Sequence, residues 1–217
     1  MSNLPFVSKI LERIVLEQLN KHCEKYNLQD PNQSAYRKGH STETALLKIF
    51  DDLLISMDNQ KVSVLTLLDI SAAFDTVNHE ILLKRLEDLY GICGTANDWF
   101  RSYLSERHQR VKIGNSMSKA KKLLTGVPQG SGFGPWEYTS YTRELGFIMS
   151  DLAIKYHIFA DDTQIQQAMD ANSFDAQMQA KKTIEQCIKE ISLWMNTNKL
   201  KLNEDKTDDF NWHSTSA

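Results

Sequence analysis

Apolar residues recur every three or four positions in several stretches of the chain, which is the spacing that gives a helix one apolar face. This pattern predicts helices over residues 6–26, 41–57, 78–90 and 173–195, one starting near residue 95, and one from about residue 135 to 149. The helix at 41–57 begins with Ser41-Thr-Glu-Thr44, which resembles a capping signal. No apolar run approaches the roughly 18 residues that a membrane span requires, so no membrane partner is expected.

Short runs rich in β-branched and aromatic residues predict the strands. Residues 62–68 carry no charge and predict a buried strand, and residues 155–160 and 163–166 predict two strands joined by a tight turn. Further strands are predicted at 109–113, 121–124 and 200–203, the first two joined by a loop containing Gly114 and Asn115. Because helices alternate with strands that include a hairpin, the pattern favours an α+β fold. Its sheet is expected to be antiparallel or mixed, with helices packed on one face.

Length and composition fit a single globular domain with an apolar core. The chain has 217 residues, of which 41% are hydrophobic and 24% charged. Cys23, Cys93 and Cys187 lie far apart and outside any C-x-x-C spacing, so neither a disulfide partner nor a zinc site is implied. The N-terminal segment lacks the basic start and apolar middle of a signal peptide, so an intracellular protein is the default expectation.

Charge is unevenly distributed along the chain. The net charge of −3 does not by itself indicate a nucleic-acid-binding protein. From Arg101 to Lys122, however, seven basic residues stand against Glu106 alone, a local charge of 7 − 1 = +6. Such a segment could neutralise phosphates or could simply be the solvated face of a hairpin, and charge alone does not separate the two interpretations.

Carboxylates occur where two of the predicted strands end. Asp69 follows the buried strand, and Asp161 and Asp162 form the tight turn of the predicted hairpin. A desolvated carboxylate is costly unless it is paired or bound to metal, and oxygen ligands without His or Cys favour Mg²⁺ or Mn²⁺. A pair of such ions suits nucleotidyl transfer. Asp-Asp also occurs at 51–52 and 208–209, where a solvated surface explains it.

Five short motifs occur in order along nearly the whole chain. They are Gln33-Ser-Ala-Tyr-Arg37, Leu68-Asp-Ile-Ser-Ala-Ala-Phe74, Gly126-Val-Pro-Gln-Gly-Ser131, Phe159-Ala-Asp-Asp162, and Leu200-Lys-Leu-Asn203 followed by Lys206. In that order they resemble the finger motif, the strand-end motif, the template loop, the aromatic-x-Asp-Asp hairpin and the downstream lysine motif of reverse transcriptases. The segments 99–104 and 111–114 resemble the non-LTR (LINE-type) retrotransposon branch of that family.

The resemblance implies an RNA-directed DNA polymerase that extends a DNA primer on an RNA template with deoxynucleoside triphosphates. It implies that Asp69 and Asp161 hold two Mg²⁺ (or Mn²⁺) ions, with Asp162 assisting. It also implies that Phe74 lies under the sugar of the incoming nucleotide and excludes a 2′-hydroxyl. A core aromatic is the alternative interpretation of Phe74.

Further residues acquire roles only through the resemblance. Arg37 would bind the triphosphate and Lys206 would stand near the leaving pyrophosphate, although ordinary surface charge also explains both. Gln129, assigned to nucleotide binding, and the glycines beside it would let the backbone approach the template and the incoming nucleotide closely. The residues assigned to the template loop are Gly126, Pro128 and Gly130.

The resemblance also sets expectations for the domain. Residues 1–217 are expected to form one reverse transcriptase domain, with about 1–60 as partial fingers, about 61–210 as palm, and no thumb. Gly132-Phe133 and Trp136 stand where such elements usually carry aliphatic residues. The glycine is expected to loosen the turn and the indole to need new room in the packing.

Two other functions compete with a polymerase. One is a truncated, catalytically inactive retrotransposon remnant that acts at most as a nucleic-acid or protein binding module; metal binding that depends on Asp161 would argue against it. The other is a dinucleotide-binding oxidoreductase, suggested by Gly130-Ser-Gly-Phe-Gly134. The prolines on both sides and the missing third glycine make that motif a poor match to the dinucleotide fingerprint.

Overall fold

The computed structural model describes residues 5–71, 73–128 and 130–203, and the backbone of Asp208–Trp212. The helices are α1 (Phe6–Tyr26), α2 (Thr42–Asp58), α3 (Ala73–Thr76), α4 (His79–Tyr90), α5 (Thr95–Leu104), α6 (Gly134–Tyr141), α7 (Glu144–Asp151) and α8 (Phe174–Thr197). The strands are β1 (Lys61–Leu68), β2 (Ile70–Ser71), β3 (His108–Gln109), β4 (Lys112–Ile113), β5 (Ser116–Met117), β6 (Lys121–Lys122), β7 (Lys155–Phe159), β8 (Asp162–Asp170), β9 (Lys201–Leu202) and β10 (Asp208–Trp212).

The chain divides into two compact units, each built from two stretches of sequence. The helical unit consists of Met1–Leu28 and Ala72–Tyr141, and contains α1, α3 to α6 and the short strands β3 to β6. The sheet unit consists of Gln29–Ser71 and Thr142–Ala217, and contains the remaining helices and strands. The mixture of helices and antiparallel strands confirms the predicted α+β class.

The sheet unit is organised around a four-stranded sheet in the order β10-β1-β8-β7, with every ladder antiparallel. β1 pairs with β8 from Lys61 opposite Asp170 to Leu68 opposite Thr163. The uncharged run Val62–Leu68 of β1 suits this central position, since strands pair with β1 on both sides. β8 is longer than the predicted 163–166, because it pairs along the whole of β1.

The long helix α8 supplies much of the core of the sheet unit. Ser173 caps its start by accepting a hydrogen bond from the N–H of Ala176 at 3.2 Å. Its buried positions, Ala180, Ile184, Cys187, Ile191 and Met195, recur every three or four residues and form one stripe. Burial of each large side chain in that stripe contributes roughly 1.5–3 kcal/mol to folding.

The helical unit has an aromatic core. Phe133 is fully buried, and its ring stacks on that of Trp136 with centroids 5.6 Å apart and planes 13° apart. Trp136 also lies 6.2 Å from Phe100 and 5.6 Å from Tyr90, again between ring centroids. The room that an indole requires is therefore made by aromatic neighbours, and the two unusual residues at 133 and 136 pack on each other.

Two predictions of secondary structure are wrong in detail. The helix expected over about 135–149 is two helices, α6 and α7. Between them the regular helical spacing of four residues is broken, because Leu145 N–H donates to Thr142 O, only three residues earlier, at 3.0 Å. The expected strand pair 109–113 and 121–124 is instead two separate ladders, β3 with β6 and β4 with β5. β2, α3, β5 and β10 were not predicted.

Two further observations concern membranes and thiols. Within the described ranges, no helix combines the length and apolar character that crossing a membrane would require.

Cys23 and Cys187 are buried free thiols, and burial raises the pKa of each to about 11, whereas the thiol of Cys93 is exposed.

Candidate active site

The antiparallel pairing of β1 and β8 carries two of the three predicted carboxylates to one edge of the sheet. Leu68 and Thr163 are opposite each other and almost fully buried. Asp69 follows Leu68 on its strand, and Asp162 precedes Thr163 on the other. The two acids therefore leave the buried part of the sheet at neighbouring positions, where Asp69 is half-buried and Asp162 exposed.

The third carboxylate lies in the two-residue turn between β7 and β8. Phe159 pairs with Asp162, which leaves Ala160 and Asp161 as the loop. Ala160 has φ +60°, in the left-handed region that non-glycine residues rarely adopt. A two-residue hairpin loop needs a positive φ at its first position to match the strand twist, so the strain accompanies the tight turn that presents Asp161.

Asn203, the residue that follows β9, forms hydrogen bonds with Asp69. Its side-chain amide donates to Oδ2 of Asp69 at 2.9 Å, and its backbone N–H donates to the Asp69 carbonyl oxygen at 2.9 Å. The adjoining pairing of Ile70 with Leu202 sets this position. One carboxylate oxygen is thereby oriented by a neutral donor, which leaves the negative charge in place.

The predicted finger motif lies beside the same turn. Ser34 N–H donates to Ile158 O at 3.0 Å, and Gln33 Oε1 accepts from Ala160 N–H at 3.4 Å. Tyr36, which follows, has its pKa raised by partial burial and by the negative charge of Asp161. The structure therefore brings this motif to the Asp161 turn.

Arg37 lies within the same motif and is partly exposed. One of its guanidinium nitrogens donates to the carbonyl oxygen of Asp30 at 3.3 Å. This contact anchors the side chain through a single nitrogen. The remaining donors of the guanidinium could serve an anionic ligand.

In the helical unit, the predicted template loop is tied to the segment after the strand-end motif. Val127 N–H donates to Phe74 O at 2.9 Å, and Gly126 N–H donates to Val77 O at 2.8 Å. Gly126 has φ +86°, and a Cβ there would lie 3.0 Å from the Asp75 carbonyl oxygen. Only glycine allows this approach without displacement.

Phe74 is half-buried rather than a core residue. Its ring stacks on that of Tyr138, with centroids 4.7 Å apart and planes 24° apart. The stacked tyrosine fixes one side of the phenyl ring.

The remaining loop residues continue the same segment. Pro128 is buried and Gly130 exposed, with φ +95° at Gly130. Gly134 is also required for packing, because a Cβ there would lie 2.7 Å from the Pro128 carbonyl oxygen. Gln129 and Lys206, the other predicted nucleotide-binding residues, lie outside the described residues.

A buried carboxylate next to this loop was not predicted. Glu137 on α6 is fully buried, and neither of its oxygens has a hydrogen-bond partner among the described residues. Burial raises its pKa to about 8, the nearby charge of Glu12 adds to the rise, and Arg107 opposes it. Glu12 is also buried but is well bonded: it accepts from Tyr103 Oη at 2.9 Å and from Gly132 N–H at 3.2 Å. The sequence signal that position 137 is buried is the pair of aromatic residues that flank it, Trp136 and Tyr138.

Divalent metal ions would suit the donors at the sheet edge. Across the described part of the chain, no group of three or more His, Cys, Asp or Glu side chains is close enough to hold a metal ion. Asp69, Asp161 and Asp162 nonetheless offer oxygen donors alone, the ligand type that Mg²⁺ and Mn²⁺ take. Carboxylates at neighbouring positions also repel one another unless a cation lies between them.

Comparison with known proteins identifies the family. The model for the family "Reverse transcriptase (RNA-dependent DNA polymerase)" matches residues 1–215. The chain is 30% identical over 150 residues to the probable RNA-directed DNA polymerase from transposon BS of Drosophila melanogaster, covering 67% of this chain and 16% of that protein. It is 34% identical over 150 residues to the RNA-directed DNA polymerase from mobile element jockey of the same species, covering 66% of this chain and 16% of that protein.

Solved structures share the fold. Telomerase from Candida tropicalis in complex with the TWJ fragment of telomeric RNA superposes with a TM-score of 0.64 at 16% identity, over 95% of this chain and 34% of that one. The apo telomerase from the same species, truncated from its C-terminal domain, gives a TM-score of 0.62 at 16% identity, over 95% of this chain and 41% of that one. These likenesses show a shared polymerase palm fold.

The chain therefore belongs to the reverse transcriptase (RNA-dependent DNA polymerase) family, and its curated relatives are polymerases of non-LTR mobile elements. This confirms the family that the ordered motifs indicated. Members of the family bind an RNA template and generally use divalent metal ions. The chain spans 16% of the length of the curated relatives described above.

Proposed function

We propose that this chain is the catalytic core of an RNA-directed DNA polymerase, which extends a DNA primer along an RNA template with deoxynucleoside triphosphates. The observation that carries the proposal is the register of β1 and β8, which sets Asp69 and Asp162 at one sheet edge, with Asp161 in the adjoining turn. This edge offers three carboxylates to hard cations next to a motif that ends in Arg37.

The acidic residues have distinct tasks in this proposal. Asp69 and Asp161 hold two Mg²⁺ or Mn²⁺ ions, and Asp162 assists them. Bound ions would lower the pKa of the attacking primer hydroxyl and stabilise the departing pyrophosphate. Asn203 keeps Asp69 oriented through the hydrogen bond to Oδ2.

Other residues receive the substrates. Phe74, braced by Tyr138, packs under the sugar of the incoming nucleotide and excludes a 2′-hydroxyl. Arg37 binds the triphosphate, and Lys206 stands near the leaving pyrophosphate. The loop that supports the template and the incoming base comprises Gly126, Pro128, Gln129 and Gly130. Gly126 and Gly130 have positive φ, and without a Cβ they allow the backbone to approach the template and the base closely.

The domain assignment belongs to the same proposal. Residues 1–217 form one reverse transcriptase domain, in which about 1–60 contribute to the fingers and about 61–210 to the palm. The strands that carry the carboxylates, β1, β7 and β8, lie within the proposed palm segment.

Primer extension tests the proposal. A poly(rA)–oligo(dT) substrate with dTTP and Mg²⁺ or Mn²⁺ is incubated with the chain, its Asp161→Asn variant and an Asp51→Asn control. Asp51 is an exposed acid of α2 that also belongs to an Asp-Asp pair. Extension by the chain and the control, but not by Asp161→Asn, is expected. Equal extension by Asp161→Asn would contradict the proposal, and no extension by any of the three would favour the inactive binding module.

A further inference from the structure

An exposed basic arm projects from the helical unit between α5 and the template loop. The arm comprises residues 107–122 and contains β3 to β6. Every residue from His108 to Lys122 is exposed, so none of them contributes to a core. A free-standing two-stranded ribbon is at best marginally stable in water, so the arm gains stability when a partner binds it.

The charge of the arm is of one sign. Its basic residues are Arg107, Arg110, Lys112, Lys119, Lys121 and Lys122, and it has no acidic residue, which gives +6. The whole chain carries −3, so the remainder carries −3 − 6 = −9. A polyanion is therefore attracted to the arm and repelled by the average surface elsewhere.

Few of these cations are neutralised by the protein. Lys122 forms an ion pair with Glu106 at 2.9 Å. Arg107 donates a hydrogen bond to the Gly126 carbonyl oxygen at 3.2 Å, which leaves its charge in place. Within the described ranges, Arg110, Lys112 and Lys119 make no ion pair. The same holds for Lys121.

The arm has a defined shape despite its exposure. Leu123 N–H donates to Arg107 O at 2.8 Å at its base. Between the two ladders, Ser118 N–H donates to Val111 O at 2.9 Å, and Val111 N–H donates to Ser118 Oγ at 2.9 Å. These contacts hold the ribbon together, so its cations stand on a pre-formed support.

The arm also exposes three apolar side chains. Val111, Ile113 and Met117 are 60%, 77% and 57% exposed. Apolar side chains therefore lie among the cations of the arm. A two-stranded ribbon with cations on both strands fits a groove of a nucleic-acid duplex, where phosphates flank apolar sugar and base edges.

We propose that the basic arm, residues 107–122, is a sequence-independent docking surface for the phosphate backbone of a nucleic-acid duplex. The inference deepens the proposed function, because the arm is bonded through Arg107 to Gly126 of the template loop. A duplex that contacts the arm is thereby held next to the loop that receives its template strand.

Binding without catalysis tests this inference. Fluorescence anisotropy of a labelled RNA–DNA duplex in EDTA is measured over a range of salt concentrations. The chain is compared with the triple variant Lys112→Gln, Lys119→Gln, Lys121→Gln. The matched control is Lys181→Gln, Lys182→Gln, Lys189→Gln, which removes the same charge from exposed positions of α8. Circular dichroism checks that each variant is folded.

The arm variant is expected to bind at least tenfold more weakly, and its slope of log K against log salt to become shallower by roughly 2–3, since each lost phosphate contact removes about 0.9. The control is expected to keep most of the affinity and slope. Equal losses in both variants, no loss in the arm variant, or binding of polyglutamate as tight as that of the duplex would overturn the inference. Because the assay contains no metal, a failed polymerase proposal would appear in primer extension and leave this result unchanged.

Discussion

Asn203 donates hydrogen bonds to both the side chain and the backbone carbonyl of Asp69, each at 2.9 Å, although 134 residues separate the two in sequence. The short β2–β9 pairing brings them together. A residue that directly follows a two-residue strand thus fixes the orientation of one proposed metal-binding carboxylate. This places Asn203 in the machinery of the site as a positioning residue.

Loss of the Asn203 amide should reduce activity with little effect on folding. Asn203→Ala removes the donor to Asp69 Oδ2, and partners of metal ligands typically contribute 10–100-fold to metal affinity or activity. We expect primer extension to fall by about that factor, with partial recovery at higher Mn²⁺ concentration. Asn172→Ala, at an exposed position, is the control. Full activity of Asn203→Ala at limiting metal would show that the contact has no positioning role.

Alanine substitutions at Gly126 and Gly39 distinguish the cost of backbone strain from the cost of a steric clash. Both have positive φ, +86° and +77°, but a Cβ at Gly126 would lie 3.0 Å from the Asp75 carbonyl oxygen, whereas at Gly39 no heavy atom of the described residues lies within 4 Å. Gly39→Ala should cost about 1–2 kcal/mol in unfolding free energy, and Gly126→Ala about 1–2 kcal/mol more. Urea denaturation measures both, and equal costs would show that the loop adjusts freely.

Glu137 should make stability depend on pH. Its pKa is about 8 in the folded protein and near 4.5 when exposed, so the folded state keeps a proton that the unfolded state has released. The free energy of unfolding is therefore expected to fall as pH rises from about 4.5 to 8, and to lose nothing further from this group above pH 8.

A neutral side chain at position 137 should remove that dependence. Glu137→Gln is expected to be more stable than the parent by about 2–4 kcal/mol near pH 8, and about equally stable near pH 4.5. Thermal unfolding over this pH range measures the difference, with Glu87→Gln, an exposed acid of α4, as control. An unchanged pH profile in Glu137→Gln would mean that another group titrates.

The buried ion pair of the sheet unit should matter more than surface pairs. Asp30 accepts from Arg143 at 3.1 Å, and Tyr156 Oη lies 3.1 Å from each of its oxygens. Asp30→Ala removes the Asp30 carboxylate from beside a guanidinium that is only 15% exposed, at a cost of about 3–5 kcal/mol. Asp88→Ala breaks the exposed pair with Lys84 and should cost less than about 1 kcal/mol. Similar costs in urea denaturation would contradict this reasoning.

The parts of the fold that depend on local pattern were predictable from the sequence. The apolar period predicted α1 at its observed bounds, and the uncharged run at 62–68 predicted the buried strand that ends before Asp69. The motif order predicted the family, which the comparisons confirm.

What could not be predicted depends on contacts between distant residues. The break between α6 and α7 lies next to Arg143, which pairs with Asp30 across 113 residues of sequence. The burial of Glu137 follows from the packing of α6 within the helical unit, and the role of Asn203 from the β2–β9 pairing. The roles of Gln129 and Lys206 stay predictions, because both residues lie outside the described part of the chain.

Metal binding tests the central claim most directly, because it requires neither primer nor template. Titration of the chain with Mn²⁺, followed by the loss of the free-ion signal in electron paramagnetic resonance, is compared for the parent, Asp161→Asn and Asp51→Asn. We predict saturable binding by the parent and by Asp51→Asn, and at least tenfold weaker binding by Asp161→Asn. Binding that is absent in the parent, or that is the same in all three proteins, would contradict the proposed metal site and favour a non-catalytic member of the family.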